Sequence, residues 1–181
     1  METINLGIFS SSKDVIKEIL PTLTQIANHL RLDYKLHYGG GDSGLMGFIP
    51  SIFSERGGKV IGHNIKLFSD TEAFGEEIIY ETFSERQSQL INKSNVILVL
   101  PGGVGTMSEL FDVLVRNDLN LWDDIKSRRV ILLNFNKLFQ PIHDFLIQAN
   151  KLGLVKNTVL NDLYLANSAD ECLQLINQTI V

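Results

Sequence analysis

The chain has 181 residues, a length that fits one domain with a sizeable apolar core. Its residues are 44% hydrophobic and 20% charged, with 4 prolines, and this composition excludes a disordered or low-complexity protein. The formal net charge of -5 argues against nonspecific binding to nucleic acid, because that function needs a basic surface.

Apolar segments with strand character alternate along the chain with longer segments of helical spacing. Strands are expected near residues 3–9, 34–38, 59–65, 95–100, 129–135 and 163–167. Helices are expected at roughly 12–31, 45–56, 82–94, 106–119, 140–152 and 168–180. This alternation predicts a parallel sheet covered by helices, and the absence of any linker rich in Gly, Ser or Pro predicts one domain over residues 1–181.

Three places disturb this regular alternation. Pro21 falls inside the first expected helix and should kink it. Pro50 predicts that the second helix begins late or bends in its first turn. Residues 117–126 form the least regular segment and are a candidate lid or base-binding loop, although its Trp122 is more typical of a packing residue than of a stacking platform.

Nothing in the sequence indicates a secreted, membrane-bound or metal-binding protein. No apolar run approaches membrane-spanning length and the N-terminus has no basic leader, so we expect a cytoplasmic protein without a membrane partner. The single cysteine, Cys172, has apolar neighbours that predict a buried role. No histidine has metal-ligand spacing, and His37 is interpreted as a strand residue. Arg128 and Arg129 follow Lys126 in a basic cluster, interpreted as a solvated helix-to-strand connection.

The segment at residues 101–110 joins a strand to a helix through a loop with almost no side chains. Residues 95–100 are continuously apolar, which is typical of a strand covered on both faces. The glycines let a bound group come close to the backbone, and the N–H groups of the helix start favour phosphate. We therefore predict an anion-binding loop here. It is not a Walker A loop, because no Lys-Ser/Thr pair follows the glycines.

A second glycine-rich loop, at residues 39–47, formally has the dinucleotide fingerprint at Gly39, Gly41 and Gly44. It follows the second expected strand instead of the first, and residues 60–65 supply no acidic side chain for a ribose hydroxyl, so a nicotinamide cofactor is disfavoured. A tight turn without a ligand would explain this loop alone. That explanation weakens because a second glycine loop follows, and we expect the two loops to close around a small ligand.

Three motifs in order resemble the Lonely Guy family of cytokinin riboside 5'-monophosphate phosphoribohydrolases. They are the glycine loop at 39–47, the Glu85-Arg86 pair and the PGGxGTxxE motif that begins at Pro101, and the resemblance runs from about Ile4 to the C-terminal helix. It implies a Rossmann-like fold, and with the six strand-like segments above we expect one doubly wound α/β domain with a mainly parallel sheet of about six strands. It also implies a homodimer or larger assembly that hydrolyses the N-glycosidic bond of N6-modified adenosine monophosphates.

Glu109 has two interpretations. Thr106-x-x-Glu109 has the spacing of a capping box, so Glu109 could simply start a helix, and spacing alone favours this explanation. The resemblance reverses the order, because it makes Glu109 the catalytic carboxylate. A fixed carboxylate stabilises the positive charge of an oxocarbenium-like transition state and can orient the attacking water.

Arg86 also has two interpretations. Thr82-x-x-Glu85 is a capping box that places Arg86 in a first helical turn, where its stem could lie on apolar surface while its head reaches water. The resemblance makes Arg86 the arginine that holds the nucleotide with its planar fork. The family pattern Met-His-Glu-Arg-Lys is replaced here by Phe-Ser-Glu-Arg-Gln at positions 83–87, so one positive charge that would face phosphate is lost.

The leading hypothesis is a phosphoribohydrolase that needs no cofactor or metal, with Arg86 and Glu109 as catalytic residues. After the first strand, residues 10–12 supply hydroxyls that can bond the phosphate or the base, or that cap the first helix. The residues expected to bind the substrate and its phosphate are Ser10, Ser11, Gly40, Gly41, Gly44, Met46, Gly102, Gly103, Gly105 and Thr106.

Two other functions fit parts of the sequence. A nucleotide- or molybdopterin-binding carrier without turnover would need the glycine loops but not both Arg86 and Glu109. A lysine decarboxylase has little support, because no segment suggests a lysine placed for a pyridoxal phosphate Schiff base with its pyridinium partner.

Overall fold

The computed structural model describes residues 3–13, 17–68, 73–123 and 127–178. Within these ranges the strands are β1 (Asn5–Phe9), β2 (Lys35–Tyr38), β3 (Lys59–Ile65), β4 (Glu76–Tyr80), β5 (Val96–Val99), β6 (Arg129–Leu133) and β7 (Leu163–Ala166). They form one sheet in the order β4-β3-β2-β1-β5-β6-β7, and every neighbouring pair is parallel. The order runs outward from β1 in both directions, so the sheet is doubly wound, as expected.

Helices cover both faces of the sheet. They are α1 (Leu20–His29), α2 (Gly44–Glu55), α3 (Phe83–Lys93), α4 (Val104–Leu119), α5 (Gln140–Lys151), α6 (Asn157–Asn161) and α7 (Ala169–Asn177). Short 3₁₀ turns occupy residues 17–19, 66–68 and 135–137. Helices α1, α2 and α7 contribute to one apolar core, and α3 to α6 contribute to the core on the opposite face. No helix within the described ranges is long and apolar enough to cross a membrane.

Strand β5 shows why a continuous apolar run marks a central strand. Val96 and Leu98 point into the core formed with α1, α2 and α7, whereas Ile97 and Val99 point into the opposite core. Because both faces are covered, every position is buried and alternation disappears from the sequence.

Strand β4 and helix α6 are the two elements that the sequence pattern misses. Among the described residues the sheet therefore has seven strands, where about six were expected. Strand β4 lies at the edge of the sheet, and its residues Glu76, Glu77 and Ile79 are exposed. Charged residues are common on edge strands, because they oppose pairing with another chain, and they hide the apolar pattern of a strand.

The effect of the two prolines differs from expectation. Helix α1 begins at Leu20, so Pro21 occupies the first turn and removes no helical hydrogen bond. The expected kink is wrong. Pro50 lies inside α2, which already begins at Gly44, so this helix does not begin late.

The segment that follows α4 packs against the body of the protein as far as it is described. Trp122 is partly buried against the core, and its Nε1 donates to Asn117 Oδ1 at 2.8 Å. Asn117 also receives a hydrogen bond from the backbone N–H of Arg128 and donates to the backbone carbonyl of the same residue. Trp122 is therefore a packing residue, as expected. Residues 124–126 of the candidate lid lie outside the described residues.

The interpretation of Arg128 and Arg129 as a solvated connection is wrong. Arg128 is buried, and its guanidinium lies 4.2 Å from the centroid of the Trp122 ring. Arg129 donates through Nη1 to the backbone carbonyls of Leu175 and Gln178, at 2.9 and 2.6 Å. Arg129 thus connects the start of β6 to the C-terminal end of α7, and Arg128 packs against Trp122. Lys126, the third member of the cluster, lies outside the described residues.

The buried role predicted for Cys172 is confirmed. The residue is fully buried on α7, where it belongs to the core shared with α1 and α2. Burial raises the pKa of its thiol to about 12, so the thiol remains protonated and unreactive at neutral pH.

Candidate active site

The strand order brings three loops predicted from the sequence to one edge of the sheet, the edge formed by the carboxyl ends of its strands. Strand β1 lies between β2 and β5, so the order reverses at β1. Ligands of open α/β sheets bind at such a switch point, outside the carboxyl ends of the strands. The loops that leave β1, β2 and β5 at this edge begin at Ser10, Gly39 and Leu100, and they carry the residues expected to bind the ligand.

The loops after β1 and β2 are packed against each other. Met46, in the first turn of α2, donates its backbone N–H to the carbonyl of Ser11 at 3.0 Å. Gly44 has a φ of +62°, and a Cβ at this position would overlap the carbonyl of Lys13. A glycine is therefore required where the two loops meet. Gly40 and Gly41 lie in the same loop, and the space beside Gly41 is occupied by the sulfur of Met46.

Arg86 is held by the backbone of strand β3 and of the loop after β2. Thr82 caps α3, since its side chain accepts from the N–H of Glu85, and this places Arg86 in the first turn as expected. Its guanidinium donates from Nε to the carbonyl of His63 at 2.8 Å and from Nη2 to the carbonyl of Gly39 at 3.1 Å. Arg86 is only 6% exposed, so the alternative with its head in water is wrong.

Glu109 does not cap its helix. Helix α4 begins at Val104 with Gly103 as its N-cap, so Thr106 already lies inside the first turn and the capping box does not form. The Glu109 side chain instead points towards α3, where its Oε1 lies 3.6 Å from Nη1 of Arg86. Glu109 is only 7% exposed. The structure thus brings together the two residues to which the family resemblance assigns catalysis.

Burial and pairing act in opposite directions on these two charges. Burial raises the pKa of the Glu109 carboxyl to about 7, and the guanidinium of Arg86 opposes this rise. Burial likewise lowers the pKa of Arg86, and Glu109 opposes that change. Arginine remains charged in proteins, so the pair holds a permanent cation beside a carboxyl that exchanges its proton near neutral pH. Such displaced pKa values are typical of functional sites.

The loop after β5 opens towards the same edge. A Cβ on Gly102 would overlap the Thr106 side chain, so this glycine lets the threonine pack against the loop. Beside Gly103 and Gly105 a Cβ would meet no atom within 4 Å. The N-cap is Gly103, which has no side chain with which to cap the first N–H groups of α4. Uncapped N–H groups at a helix start favour an anion.

Ser10 and Ser11 differ in their hydrogen bonds. Ser10 is 8% exposed at the end of β1, and its Oγ has no hydrogen-bond partner among the described residues. A buried hydroxyl without a partner is costly, and a bound ligand would satisfy it. The Oγ of Ser11 accepts instead from the N–H of Lys13 at 3.0 Å. The N-cap of α1 is Ile19, so neither serine caps that helix.

Gln87, which replaces the lysine of the family pattern, connects two helices. Its Nε2 donates to Oδ2 of Asp112 on α4 at 3.1 Å. Asp112 also receives a hydrogen bond from Nε of Arg116 at 2.7 Å. The side-chain amide of Gln87 thus links α3 to α4.

Beneath the site lies a buried chain of polar side chains that the sequence pattern does not reveal. His37 lies on β2 as expected, but its Nδ1 is 2.9 Å from Nε2 of His63 on β3. The other nitrogen of His63 is 2.9 Å from the hydroxyl of Tyr80, and the other nitrogen of His37 is 3.4 Å from Oδ1 of Asn5. Because this amide oxygen can only accept, the protons point from Tyr80 through both histidines to Asn5. Burial lowers the pKa of His37 to about 4 and that of His63 to about 3.

Known proteins share both the sequence and the fold. The sequence model of a family described as possible lysine decarboxylase matches residues 40–176. The cytokinin riboside 5'-monophosphate phosphoribohydrolase LOG2 of Arabidopsis thaliana is 30% identical over 161 residues, which cover 86% of this chain and 74% of that protein. The chain belongs to the Lonely Guy family. Another relative of the same description, from Mycobacterium marinum, is 28% identical over 145 residues, which cover 78% of this chain and 75% of that protein.

Solved structures show how widely the fold of this Lonely Guy chain is shared. The molybdenum cofactor binding protein from Rippkaea orientalis superposes with a TM-score of 0.73 at 21% identity, covering 100% of this chain and 99% of that one. A molybdenum cofactor carrier protein from Chlamydomonas reinhardtii gives 0.70 at 18% identity, covering 98% of each chain. At these identities the likeness shows the fold alone.

Proposed function

We propose that the protein hydrolyses the N-glycosidic bond of adenosine 5'-monophosphates, including N6-modified ones, and releases the free base and ribose 5-phosphate. The observation that carries this proposal is the buried Arg86–Glu109 pair, with 3.6 Å between Nη1 and Oε1, at the edge where the glycine loops end. Relatives named cytokinin riboside 5'-monophosphate phosphoribohydrolase support it. A carrier would need the glycine loops but has no use for a buried carboxylate beside the arginine.

In the proposed reaction the bond from the anomeric carbon to the base nitrogen breaks, and its electron pair leaves with the base. The sugar then carries positive charge, which the ionised carboxylate of Glu109 stabilises. The same carboxylate orients a water molecule and accepts its proton as the water oxygen bonds to the anomeric carbon. The base takes up a proton from solvent. The reaction needs no metal or cofactor.

The phosphate is proposed to bind at the carboxyl ends of β1 and β5, which are neighbours in the sheet. The uncapped N–H groups at the start of α4 donate to it, and Ser10 supplies a buried hydroxyl that has no partner among the described residues. Gly103 and Gly105 leave open space beside the backbone. Arg86 adds a positive charge. The carbonyls of His63 and Gly39 already hold its planar guanidinium in place.

The test is to incubate the purified protein with nucleoside monophosphates and the matching nucleosides and to measure the free base. We expect AMP or an N6-isoprenoid AMP to be cleaved far faster than its nucleoside, because charged contacts to phosphate contribute several kcal/mol in a partly buried site. Equal rates on adenosine and AMP would remove the phosphate-binding argument. Tight binding of nucleotides without any release of base would favour a carrier.

We also propose a homodimer that associates through α4. Phe111, Val115 and Leu119 are exposed at four-residue spacing and form an apolar stripe on this helix. The large apolar residues of α2, by contrast, pack against the core. Because α4 also carries Glu109, association at the stripe would place the site near the interface. Val115→Glu should convert the dimer to a monomer in sedimentation at micromolar concentration; a wild-type monomer with full activity would refute the proposal.

A further inference from the structure

An exposed aromatic ring borders the buried guanidinium of the candidate active site. Phe83 is the first residue of α3, and 47% of its surface is exposed. The centroid of its ring lies 5.6 Å from Cζ of Arg86. Phenylalanine is usually buried, so an exposed ring beside a buried charge invites a functional explanation.

The position of Phe83 places it at the edge where ligands bind in this fold. Helix α3 follows the carboxyl end of β4, and Arg86, one turn further along, contacts the carbonyl of Gly39 in the loop after β2. Leu67 and Phe68, which follow the carboxyl end of the adjacent strand β3, are also exposed. This side of the site therefore offers exposed apolar side chains to a ligand, whereas the start of α4 offers backbone N–H groups.

A nucleotide has parts that match these two sides. Its phosphate is an anion and suits the N–H groups of α4, and its base is a flat aromatic group that suits an exposed ring. The guanidinium of Arg86 contacts Glu109 of α4 through one nitrogen, and the ring of Phe83 lies beside it. Arg86 therefore lies between the N–H groups of α4 and the exposed ring. The reacting bond, which joins the sugar to the base, would then lie next to the Arg86–Glu109 pair.

We infer that Phe83 is a specificity-determining residue whose ring contacts the base of the bound nucleotide. This inference rests on the proposed function. Stacking of a base on an aromatic side chain is worth enough that truncation to alanine weakens binding by roughly five- to a hundredfold. This contact would add affinity for AMP, which has a base, and none for ribose 5-phosphate, which has no base. Comparing the two affinities therefore distinguishes stacking on the base from a general effect on the site.

A different role for the ring would give a different result. If Phe83 only shields the Arg86–Glu109 pair from water, its removal weakens every interaction of that pair. AMP and ribose 5-phosphate would then lose affinity equally, and kcat would fall with a shifted pH profile. Stacking on the base predicts a change in the KM for AMP and in base preference instead.

The experiment measures dissociation constants by calorimetry in a Glu109→Gln background, which prevents turnover. Phe83→Ala should raise the Kd for AMP roughly five- to a hundredfold and leave the Kd for ribose 5-phosphate within about twofold. Phe83→Tyr should restore AMP binding, because it restores a ring. Phe145→Ala removes a similarly exposed ring from α5 and should change neither constant.

Equal losses for both ligands, or none for AMP, would overturn the role of Phe83. Should Glu109→Gln bind no AMP, the KM for AMP and inhibition by ribose 5-phosphate are compared in the chain that retains Glu109. A wild-type protein that binds AMP but releases no base would refute the proposed hydrolysis and leave the binding comparison intact. A wild-type protein that hydrolyses AMP with a KM unaffected by Phe83→Ala would refute only the inference.

Discussion

Two buried polar clusters lie close together on the α3 side of the sheet, and they are built in opposite ways. In the chain that runs through His37, His63 and Tyr80, neutral groups satisfy one another and burial keeps the imidazoles uncharged. In the Arg86–Glu109 pair a charge is fixed next to a carboxyl whose pKa is raised towards neutrality. The contrast predicts that the first cluster stabilises the fold and that the second, as proposed above, acts on a ligand.

The two clusters share one residue, His63. Its side chain belongs to the histidine chain, and its backbone carbonyl accepts from Nε of Arg86. Substitutions in each cluster therefore test whether they are separable. We expect changes to the charged pair to lower activity by roughly tenfold or more at little cost in stability, and changes to the histidine chain to lower stability at little cost in activity.

The largest effect is expected from Glu109→Gln. Glutamine fits the same space but carries no negative charge, so turnover of AMP should fall by roughly a hundredfold or more. The melting temperature should stay close to that of the wild type, and AMP should still bind. A variant that hydrolyses AMP at the wild-type rate would remove the catalytic role of Glu109 and favour the carrier hypothesis.

Arg86→Lys is expected to have the next largest effect. Lysine keeps the charge but cannot reach the carbonyls of His63 and Gly39 with one planar fork, so both KM and kcat should worsen, by roughly tenfold or more together. Arg31→Lys is the matched control, because Arg31 pairs with Asp33 on the exposed surface. Equal activities of the two variants would contradict a role for the fork.

The family resemblance made Arg86 and Glu109 candidate catalytic residues, whereas spacing alone favoured a helix cap for Glu109. The capping sequence of Thr82 places Arg86 at a helix start from spacing alone. No comparable local pattern marks the histidine chain. His37 and His63 meet only because β2 and β3 pair in one particular register, which depends on tertiary packing.

The start of α4 shows how packing between near neighbours in the chain overrides a capping signal. The Thr-x-x-Glu spacing predicts a helix that begins at Thr106. In the structure this threonine is buried against Gly102 and lies inside a helix whose N-cap position is Gly103. The edge strand β4 was missed for a related reason, because its exposed Glu76 and Glu77 resemble a loop more than a strand.

The histidine chain should make stability depend on pH. The pKa values of His37 and His63 are lowered in the folded state, so the unfolded chain binds more protons in weakly acidic solution. The free energy of unfolding should therefore fall as the pH drops from about 6.5 towards 4, and His37 alone accounts for about 3 kcal/mol. Urea unfolding at several pH values measures this slope.

One variant, with one control, tests whether the buried imidazoles cause this pH dependence of stability. His63→Gln keeps a hydrogen-bond donor and an acceptor but cannot titrate, so it should reduce the loss of stability at acidic pH. Glu109 contributes with the opposite sign, because its pKa is raised and the folded state binds the extra proton between about 4.5 and 7. His29→Gln, on the exposed surface of α1, serves as the control. An unchanged slope in His63→Gln would show that the buried imidazoles do not control acid stability.

The smallest effect, and the sharpest test of separability, is expected from Tyr80→Phe. The hydroxyl of Tyr80 donates to Nδ1 of His63, so its removal leaves a buried acceptor without a partner and should cost about 1 to 2 kcal/mol in the free energy of unfolding. The Tyr80 hydroxyl is one end of the row of hydrogen bonds that ends at Asn5, and it makes no contact with Arg86 or Glu109 among the described interactions. We therefore expect kcat and KM for AMP to stay within about twofold of the wild-type values. Tyr164→Phe, on β7, removes a hydroxyl away from the histidines and is the control for stability. Loss of activity in Tyr80→Phe, with a folded protein, would show that the histidine chain positions Arg86 through the carbonyl of His63, and the two clusters would then form one functional unit.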